Sequence, residues 1–388
     1  MAQMQQSAAQ QAQMANIANR MACVKAGVNM WQAIFQQTIP GSAKGVTLNV
    51  SPRNVGLVKR FLVEITGTVA QAAGETLTRT PFGAANVLSN VVFTDLNNQT
   101  RIQTTGSHLA LLASARSGLS FGSAFTNDAP MSFGSNYAVM TMPTPVTTAQ
   151  NFRMFYDIPI SYSDTDMRGS IFASVVNSTM NLQLTINPNF IVGSGAGGIA
   201  VQGAVYGSST ANDVGTLTNV TVTVYQNYLD QLPVDPASGR PMLPLLDMAT
   251  NYLLNNTVTT GIAVGQDNTI PFANFRSFLS TFAVYNNPNN AAGTDITYWG
   301  LQSANYTNIL KYDPYVSALL TRQAFHDDPP AGCYYFNFRD KPLETVQYGN
   351  LQLLFNPSTA GALSQMQVFY EQLALANVVT QAGSLYSN

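Results

Sequence analysis

Charge is scarce in this chain of 388 residues: 17 Lys+Arg and 19 Asp+Glu amount to 9%, where an ordinary domain carries about 25%. A net charge of −2 is too balanced for a general nucleic-acid binder, and sequence-specific nucleic-acid binding is not expected. Hydrophobics at 46% and aromatics at 10% exclude a disordered chain. The surface must therefore be built from uncharged polar groups and backbone, which repel neighbours weakly and favour assembly. Histidine and cysteine are nearly absent, at two each. Cys23 and Cys333 have no metal spacing and read as reduced structural thiols of a reducing compartment. No run approaches the eighteen apolar residues of a transmembrane helix. Met1 to Arg20 has neither the early charge cluster nor the continuous apolar core of a secretory signal, which also argues against an exported porin.

Acid is missing altogether from the first 63 residues, which carry Arg20, Lys25, Lys44, Arg53, Lys59 and Arg60 and so hold +6 against −8 in the remainder. Within them Met14, Ile17, Met21, Val24, Val28, Trp31 and Phe35 recur at spacings of 3, 4, 3, 4, 3 and 4. That pattern predicts one apolar stripe on a helix flanked by Arg20 and Lys25 and ended by Pro40-Gly41. Such a stripe either packs on the protein's own core or lies at a membrane surface or in a partner's groove, and Trp31 with the flanking cations suits an interface.

Beyond Lys44 the texture becomes β. Strands are predicted over Val46–Val50, Leu57–Thr68, Asn86–Thr94, Asn151–Ile160, Met180–Ile186 and Thr218–Tyr228. A second set covers Phe275–Tyr285, Cys333–Phe338, Glu344–Phe355 and Gln365–Gln372, all punctuated by Gly, Pro and Asn. Ser107–Arg116 fits helix or strand, and Asp247–Asn256 reads as a short helix. Between the sets, Leu232–Pro244 has four prolines and a glycine and reads as a linker. The sets look duplicated. Asn181-Leu-Gln-Leu-Thr-Ile-Asn-Pro188 recurs as Asn350-Leu-Gln-Leu-Leu-Phe-Asn-Pro357, identical at six of eight positions. Each copy is followed by a similar strand, Val222–Gln226 and Met366–Tyr370. The expected layout is an arm over 1–43, a first sandwich over 44–231, the linker over 232–244, a second sandwich over 245–372 and a tail over 373–388.

Catalytic patterns are thin. Gly118-Leu-Ser-Phe-Gly122 matches a nucleophile elbow with His326 downstream, but no helix pattern follows Ser120. Gly193-Ser-Gly-Ala-Gly-Gly198 fits G-x-G-x-x-G but opens into a strand-like run. Asp164 with Asp166, and Asp327 with Asp328, could hold calcium or simply cap turns. No acid/base pair, metal set or cofactor site stands out, so the chain is not expected to be an enzyme.

Several motifs then carry a resemblance. Asn54-Val-Gly-Leu-Val-Lys-Arg-Phe-Leu-Val-Glu-Ile65, Thr105-Gly-Ser-His-Leu109 and Pro159-Ile-Ser-Tyr-Ser-Asp-Thr-Asp166 resemble the major capsid protein of tectiviruses. So do Val224-Tyr-Gln-Asn-Tyr-Leu-Asp-Gln-Leu-Pro-Val234, Leu243-Pro-Leu-Leu-Asp247 and Gly293-Thr-Asp-Ile296. The longest match is Tyr334-Tyr-Phe-Asn-Phe-Arg-Asp-Lys-Pro-Leu-Glu-Thr-Val-Gln-Tyr-Gly-Asn350. The resemblance implies an all-β double jelly roll, two eight-stranded sandwiches with an N-terminal amphipathic helix. It further implies homotrimeric, pseudo-hexagonal capsomers of an icosahedral bacteriophage shell assembled in the host cytoplasm. Neighbouring capsomers, minor or vertex proteins and an internal viral membrane would be the partners. Met14, Ile17, Arg20, Met21, Val24, Lys25, Val28, Trp31 and Phe35 would face that membrane. A β-sandwich carbohydrate binder or tail-type hydrolase is the alternative from another class.

Overall fold

A computed structural model describes residues 7–41, 45–74, 77–79, 82–117, 131–132, 138–140, 143, 146–175, 178–188, 191–192, 205–208, 215–285, 296–303, 310–325, 332–358 and 365–375. Helix α1 (Ala8–Ala26) opens the chain. The first β set contains β1 (Val28–Ile39), β2 (Thr47–Val50), β3 (Leu57–Gln71), β4 (Leu88–Thr94) and β5 (Thr100–Thr104). Helix α2 (Gly106–Ser117) and strands β6 (Gln150–Pro159), β7 (Asn181–Ile186) and β8 (Gly215–Asp230) complete it. After the linker, one turn of helix α3 (Leu245–Met248) leads into β9 (Thr250–Thr260), β10 (Asn268–Pro271), β11 (Ser277–Tyr285), β12 (Ile296–Gln302) and β13 (Leu310–Tyr312). Helix α4 (Pro314–Phe325), β14 (Cys333–Asn337), the short α5 (Thr345–Tyr348), β15 (Gln352–Pro357) and β16 (Gln365–Leu375) follow.

The strand orders state the architecture. The first set forms sheets β1-β8-β3-β6 and β2-β7-β4-β5, and the second forms β9-β16-β11-β14 and β10-β15-β12-β13. Each order is the other advanced by eight strands, and each is the jelly-roll winding of two Greek keys. Even the two-residue strands repeat: Ile171–Phe172 pairs with β3 as Leu343–Glu344 pairs with β11. The chain is a double jelly roll in which α2 and α4 hold equivalent places, each after the fifth strand of its set. Alternation explains the inner faces. Phe61, Val63 and Ile65 of β3 and Val220, Val222 and Val224 of β8 are fully buried in the first core, as a period of two requires. The second core gathers around Trp299 with Tyr334, Phe336 and Phe355.

Three sequence expectations need correction. The predicted helical stripe ends at Ala26, and Val28, Trp31 and Phe35 lie on β1. Gly27 is extended, although its N–H still reaches the Cys23 carbonyl. The β-branched and aromatic run after it then pairs with β8 through eleven register positions. Pro40-Gly41 thus ends a strand, and the first sandwich starts at Val28, not at residue 44. Asp247–Asn256 is not a helix but one helical turn followed by β9, which pairs with β16 from Thr250↔Leu375 to Thr260↔Gln365. Consequently Leu373 to Leu375 belong to the sandwich, not to a tail. Glu344–Phe355 is split by α5, with Gly349 at φ 57° and Asn350 at φ 36° turning the chain into β15. Ser107–Arg116 resolves as helix.

Removing residues 1–26 should leave a folded double sandwich. Removing residues 1–35 also takes seven of the eleven register pairs of β1 and should give aggregated or unfolded chain. Circular dichroism and sizing chromatography of the two truncations distinguish these outcomes.

Candidate membrane-facing helix and sandwich junction

Ser7 and Gln10 start α1 with a reciprocal capping box, each side chain bonding the other's backbone N–H. The helix then docks by its polar edge. Asn16 donates to Asp247 Oδ1 at 3.1 Å and accepts the Leu246 N–H at 3.1 Å. Asn19 donates to the Leu243 carbonyl at 3.1 Å and the Cys23 thiol to the Met242 carbonyl at 2.9 Å. Arg20 lies 3.5 Å from Asp247 Oδ2, a carboxyl that burial raises above its usual range while Asn16 and Arg20 oppose that shift. These four residues stand at i, i+3, i+4 and i+7, so they form one stripe. The apolar stripe points elsewhere: Met14, Ile17, Met21 and Val24 are 49%, 42%, 52% and 39% exposed. Surface helices ordinarily bury that face, and here it is outward.

The predicted site residues therefore divide. Met14, Ile17, Met21 and Val24 share one open helix face, with Lys25 exposed beside them. Arg20 is turned toward Asp247. Val28 and Trp31 are exposed on β1, and Phe35 packs partly buried against the first core. Leu245 and Leu246, also exposed, lie on α3 beside the docked helix and were not foreseen. The docking residues Asn16, Asn19 and Asp247 were also missed; the signal was the polar 16/19/20/23 spacing, overlooked beside the apolar one.

The second constellation joins the sandwiches. Strands β5 and β9 run parallel and pair only at Ile102↔Leu254 and Gln103↔Asn255, which makes one continuous sheet across the chain. Helix α2 packs over that seam. His108 stacks on Phe369 with ring centroids 4.8 Å apart and meets Phe282 edge-on at 5.8 Å. Arg116 Nη2 reaches Glu371 Oε1 at 2.5 Å and the Tyr252 hydroxyl at 2.8 Å. Glu371 is fully buried and also accepts from Arg339 at 2.5 and 3.1 Å, from Tyr252 at 2.9 Å and from Ser280 at 2.6 Å. Burial by itself would raise that carboxyl, but the two facing guanidinia outweigh it and hold it down near 2. Removal of water from around His108 holds its imidazole neutral, at about 3.

The acidic turn that could have taken calcium is satisfied by cations. Asp164 pairs with Lys59 and Arg60, and Asp166 with Arg168. Among the described residues no three metal-ligating side chains converge. His326, Asp327, Asp328, the Gly118–Gly122 run and the Gly193–Gly198 run lie outside the described residues. The organised chemistry is thus adhesive: a locked seam between two sandwiches and an outward apolar helix.

Two jelly rolls locked side by side in one chain define the double jelly-roll coat proteins of viruses, and the solved structures agree. The STIV MCP, from Sulfolobus turreted icosahedral virus, superposes with a TM-score of 0.63 at 10% identity, covering 93% of this chain and 100% of that one. PBCV-1 VP54, fitted into the virophage Sputnik, gives 0.56 at 12% identity over 89% and 94%. Sequence similarity goes further. The family described as P3 major capsid protein N-terminal matches residues 2–232, and P3 major capsid protein C-terminal matches residues 249–387. Major capsid protein P3 of Enterobacteria phage PRD1 is 34% identical over 380 residues, covering 97% of this chain and 95% of that one. The chain belongs to the P3 major capsid protein family. Its role is structural, in the capsid shell of the virion, and the carbohydrate-binding and hydrolase alternative falls away.

Two buried titratable groups of the seam, His108 and Glu371, tie stability to acid pH with the same sign. His108 is held below its ordinary 6.5, so the unfolded chain binds a proton the folded one refuses and stability falls as pH drops below about 6.5. Glu371 contributes fully above 4.5 and loses its share as pH falls through about 2. Replacement His108→Phe should delay the onset of acid destabilisation, read as urea midpoint against pH, to about 4.5; an unchanged curve would assign the onset to another group. Glu371→Gln, which strands two arginines, should cost about 3 kcal/mol in the same assay at pH 7.

Proposed function

We propose that three copies form a pseudo-hexagonal capsomer that packs against neighbouring capsomers and minor or vertex proteins over an internal lipid membrane. In this reading the exposed face of α1 is turned toward the bilayer. One observation carries the membrane part: α1 is held to its own protein by Asn16, Asn19, Arg20 and Cys23 while Met14, Ile17, Met21 and Val24 are left in solvent. A helix that merely stabilised the fold would bury those four. The bonds of the polar edge fix the azimuth of the apolar face, so insertion needs no rearrangement of the sandwich. Lys25 beside that face contributes about 1 kcal/mol near an anionic surface. Arg20 adds less, because Asp247 already holds it. Linkage of three copies multiplies a weak contact into a firm one.

The test is flotation with anionic and neutral vesicles. Wild type should float with phosphatidylserine-containing vesicles, and the Met21→Glu/Val24→Glu variant should lose at least tenfold in bound fraction while keeping its sizing profile. Equal binding by both proteins would remove α1 from the membrane contact.

A further inference from the structure

Arg20, Met21, Val24 and Lys25 stand at i, i+1, i+4 and i+5 of α1 and share one edge of the helix, where its docking stripe gives way to its open apolar face. A second wall stands beside that edge. The turn that follows β6 brings up Thr165 and Asp166, and the six residues line a groove of about 390 Å³. This is the acidic turn that the sequence offered to calcium, and its carboxylates are taken by cations. Arg168 donates to Asp166 from Nε at 2.9 and 3.0 Å and from Nη2 at 2.6 Å. The turn is also braced across itself. Ser163 Oγ accepts the Asp166 N–H at 3.0 Å, and the Tyr162 N–H donates to the Arg168 carbonyl at 2.8 Å. Thr165 is thereby held exposed, with its hydroxyl a long 3.5 Å from that of Ser163.

The lining has the two halves of an amphiphile's complement. Met21 and Val24 make one part apolar and are exposed. Arg20 and Lys25 make the other part cationic. Asp247 meets Arg20 at 3.5 Å, beyond a good hydrogen bond, so most of the guanidinium fork stays uncommitted. Arg20, Lys25 and Arg168 stand against Asp166 and Asp247, three cations to two carboxylates. The C-terminal end of α1 adds about half a negative elementary charge, too little to reverse that sign.

We infer that the groove holds one anionic phospholipid by its headgroup. The phosphate lies among the Lys25 ammonium, the Arg20 guanidinium and the Thr165 hydroxyl, and the upper part of the acyl chains runs along Met21 and Val24. Charge complementarity selects an anion. The apolar wall selects an amphiphile, because a bare phosphate would leave Met21 and Val24 in water. The inference rests on the membrane reading above for the source of the lipid, and it adds a place and a headgroup class. An apolar face dipping into a bilayer accepts any lipid, whereas a groove with a braced wall is preorganised for one kind. Since the turn belongs to the first sandwich, the headgroup is fixed relative to the sandwich and not to α1 alone.

A lipid too short to form bilayers separates the groove from the membrane. Dihexanoyl phosphatidic acid, kept below its micelle concentration and titrated into the full-length protein, should give saturable heat with one lipid per chain. Native mass spectrometry should show the same count. Dihexanoyl phosphatidylcholine and inorganic phosphate should each bind at least about tenfold more weakly. Thr165→Glu puts a carboxylate on the wall that α1 does not supply, and should lower phosphatidic acid affinity about tenfold with an unchanged sizing profile. Gln266→Glu adds the same charge on an exposed turn of the second sandwich and should leave that affinity unchanged. Should Thr165→Glu fail to fold, Lys25→Gln at an exposed position carries the same expectation. Equal affinity for inorganic phosphate or for phosphatidylcholine, or equal losses in Thr165→Glu and Gln266→Glu, overturns the inference. Absence of saturable phosphatidic acid binding, with flotation on anionic vesicles intact, overturns the groove and leaves α1 at the membrane. Flotation lost with soluble-lipid binding retained supports the groove and overturns the membrane reading alone.

Discussion

Glu371 is the pin on which the two halves turn. A buried carboxylate shared by Arg116 of the first sandwich and by Arg339, Tyr252 and Ser280 of the second has few other geometries in which its lone pairs are met. The strand pairing across the seam is only two residues long, too little to set the angle between sandwiches. Apolar contacts such as His108 on Phe369 add adhesion without strong direction. A buried ion network contributes modestly to net stability against a well-packed apolar alternative, but it penalises any slipped arrangement heavily. For a coat protein the angle between sandwiches is what a regular lattice requires. That is a physical reason to accept the desolvation of a carboxylate.

The outer surfaces follow a different logic. With only 9% charged residues, little repulsion keeps copies apart, and attraction is concentrated in a few apolar patches. Helix α1 shows how such a patch is kept open. Its polar residues take up the binding to its own chain, through Asp247 and the carbonyls of Met242 and Leu243, so that its apolar residues stay outside. In α4, Thr321 does the same by accepting the Tyr335 N–H of β14, while Leu319 and Tyr315 face solvent. In both helices amphipathicity is used in reverse, and the polar face serves as the glue. Among the described residues, several of the few acids are committed to cations inside the chain. Asp95 holds Arg101, Asp164 holds Lys59 and Arg60, and Asp166 holds Arg168.

Most strands were legible in the sequence because each inner face is a local alternation, as in Phe61-Leu-Val-Glu-Ile65, and the repeated Asn-Leu-Gln-Leu motif exposed the duplication. The places where that legibility failed share a cause. From Met14 to Phe35 the 3-and-4 spacing continues without a break, yet the backbone changes from helix to strand at Gly27, because β8 offers eleven pairing positions to Val28–Ile39. Periodicity records which residues are apolar, not which backbone carries them. Strand β9 was hidden likewise: Thr250–Thr260 becomes a strand by pairing with β16, more than a hundred residues away. Long-range pairing overrides local preference, and no window of neighbouring residues contains it.

What the sequence by itself determined is therefore composition, class and repetition: a neutral, aromatic-rich β chain built twice, opening on a basic apolar arm and carrying the motifs of a coat protein. Which residues meet was decided only by the tertiary structure. Glu371 and Arg116 are 255 positions apart, and Asn16 and Asp247 are 231 apart. Neither pair has a local signature, because a buried charge or amide is satisfied by whatever partner the packing delivers. The orientation of an apolar stripe is also a tertiary property. The same spacing would serve a helix facing inward, and only the bonds made by the opposite edge of α1 turn its stripe outward.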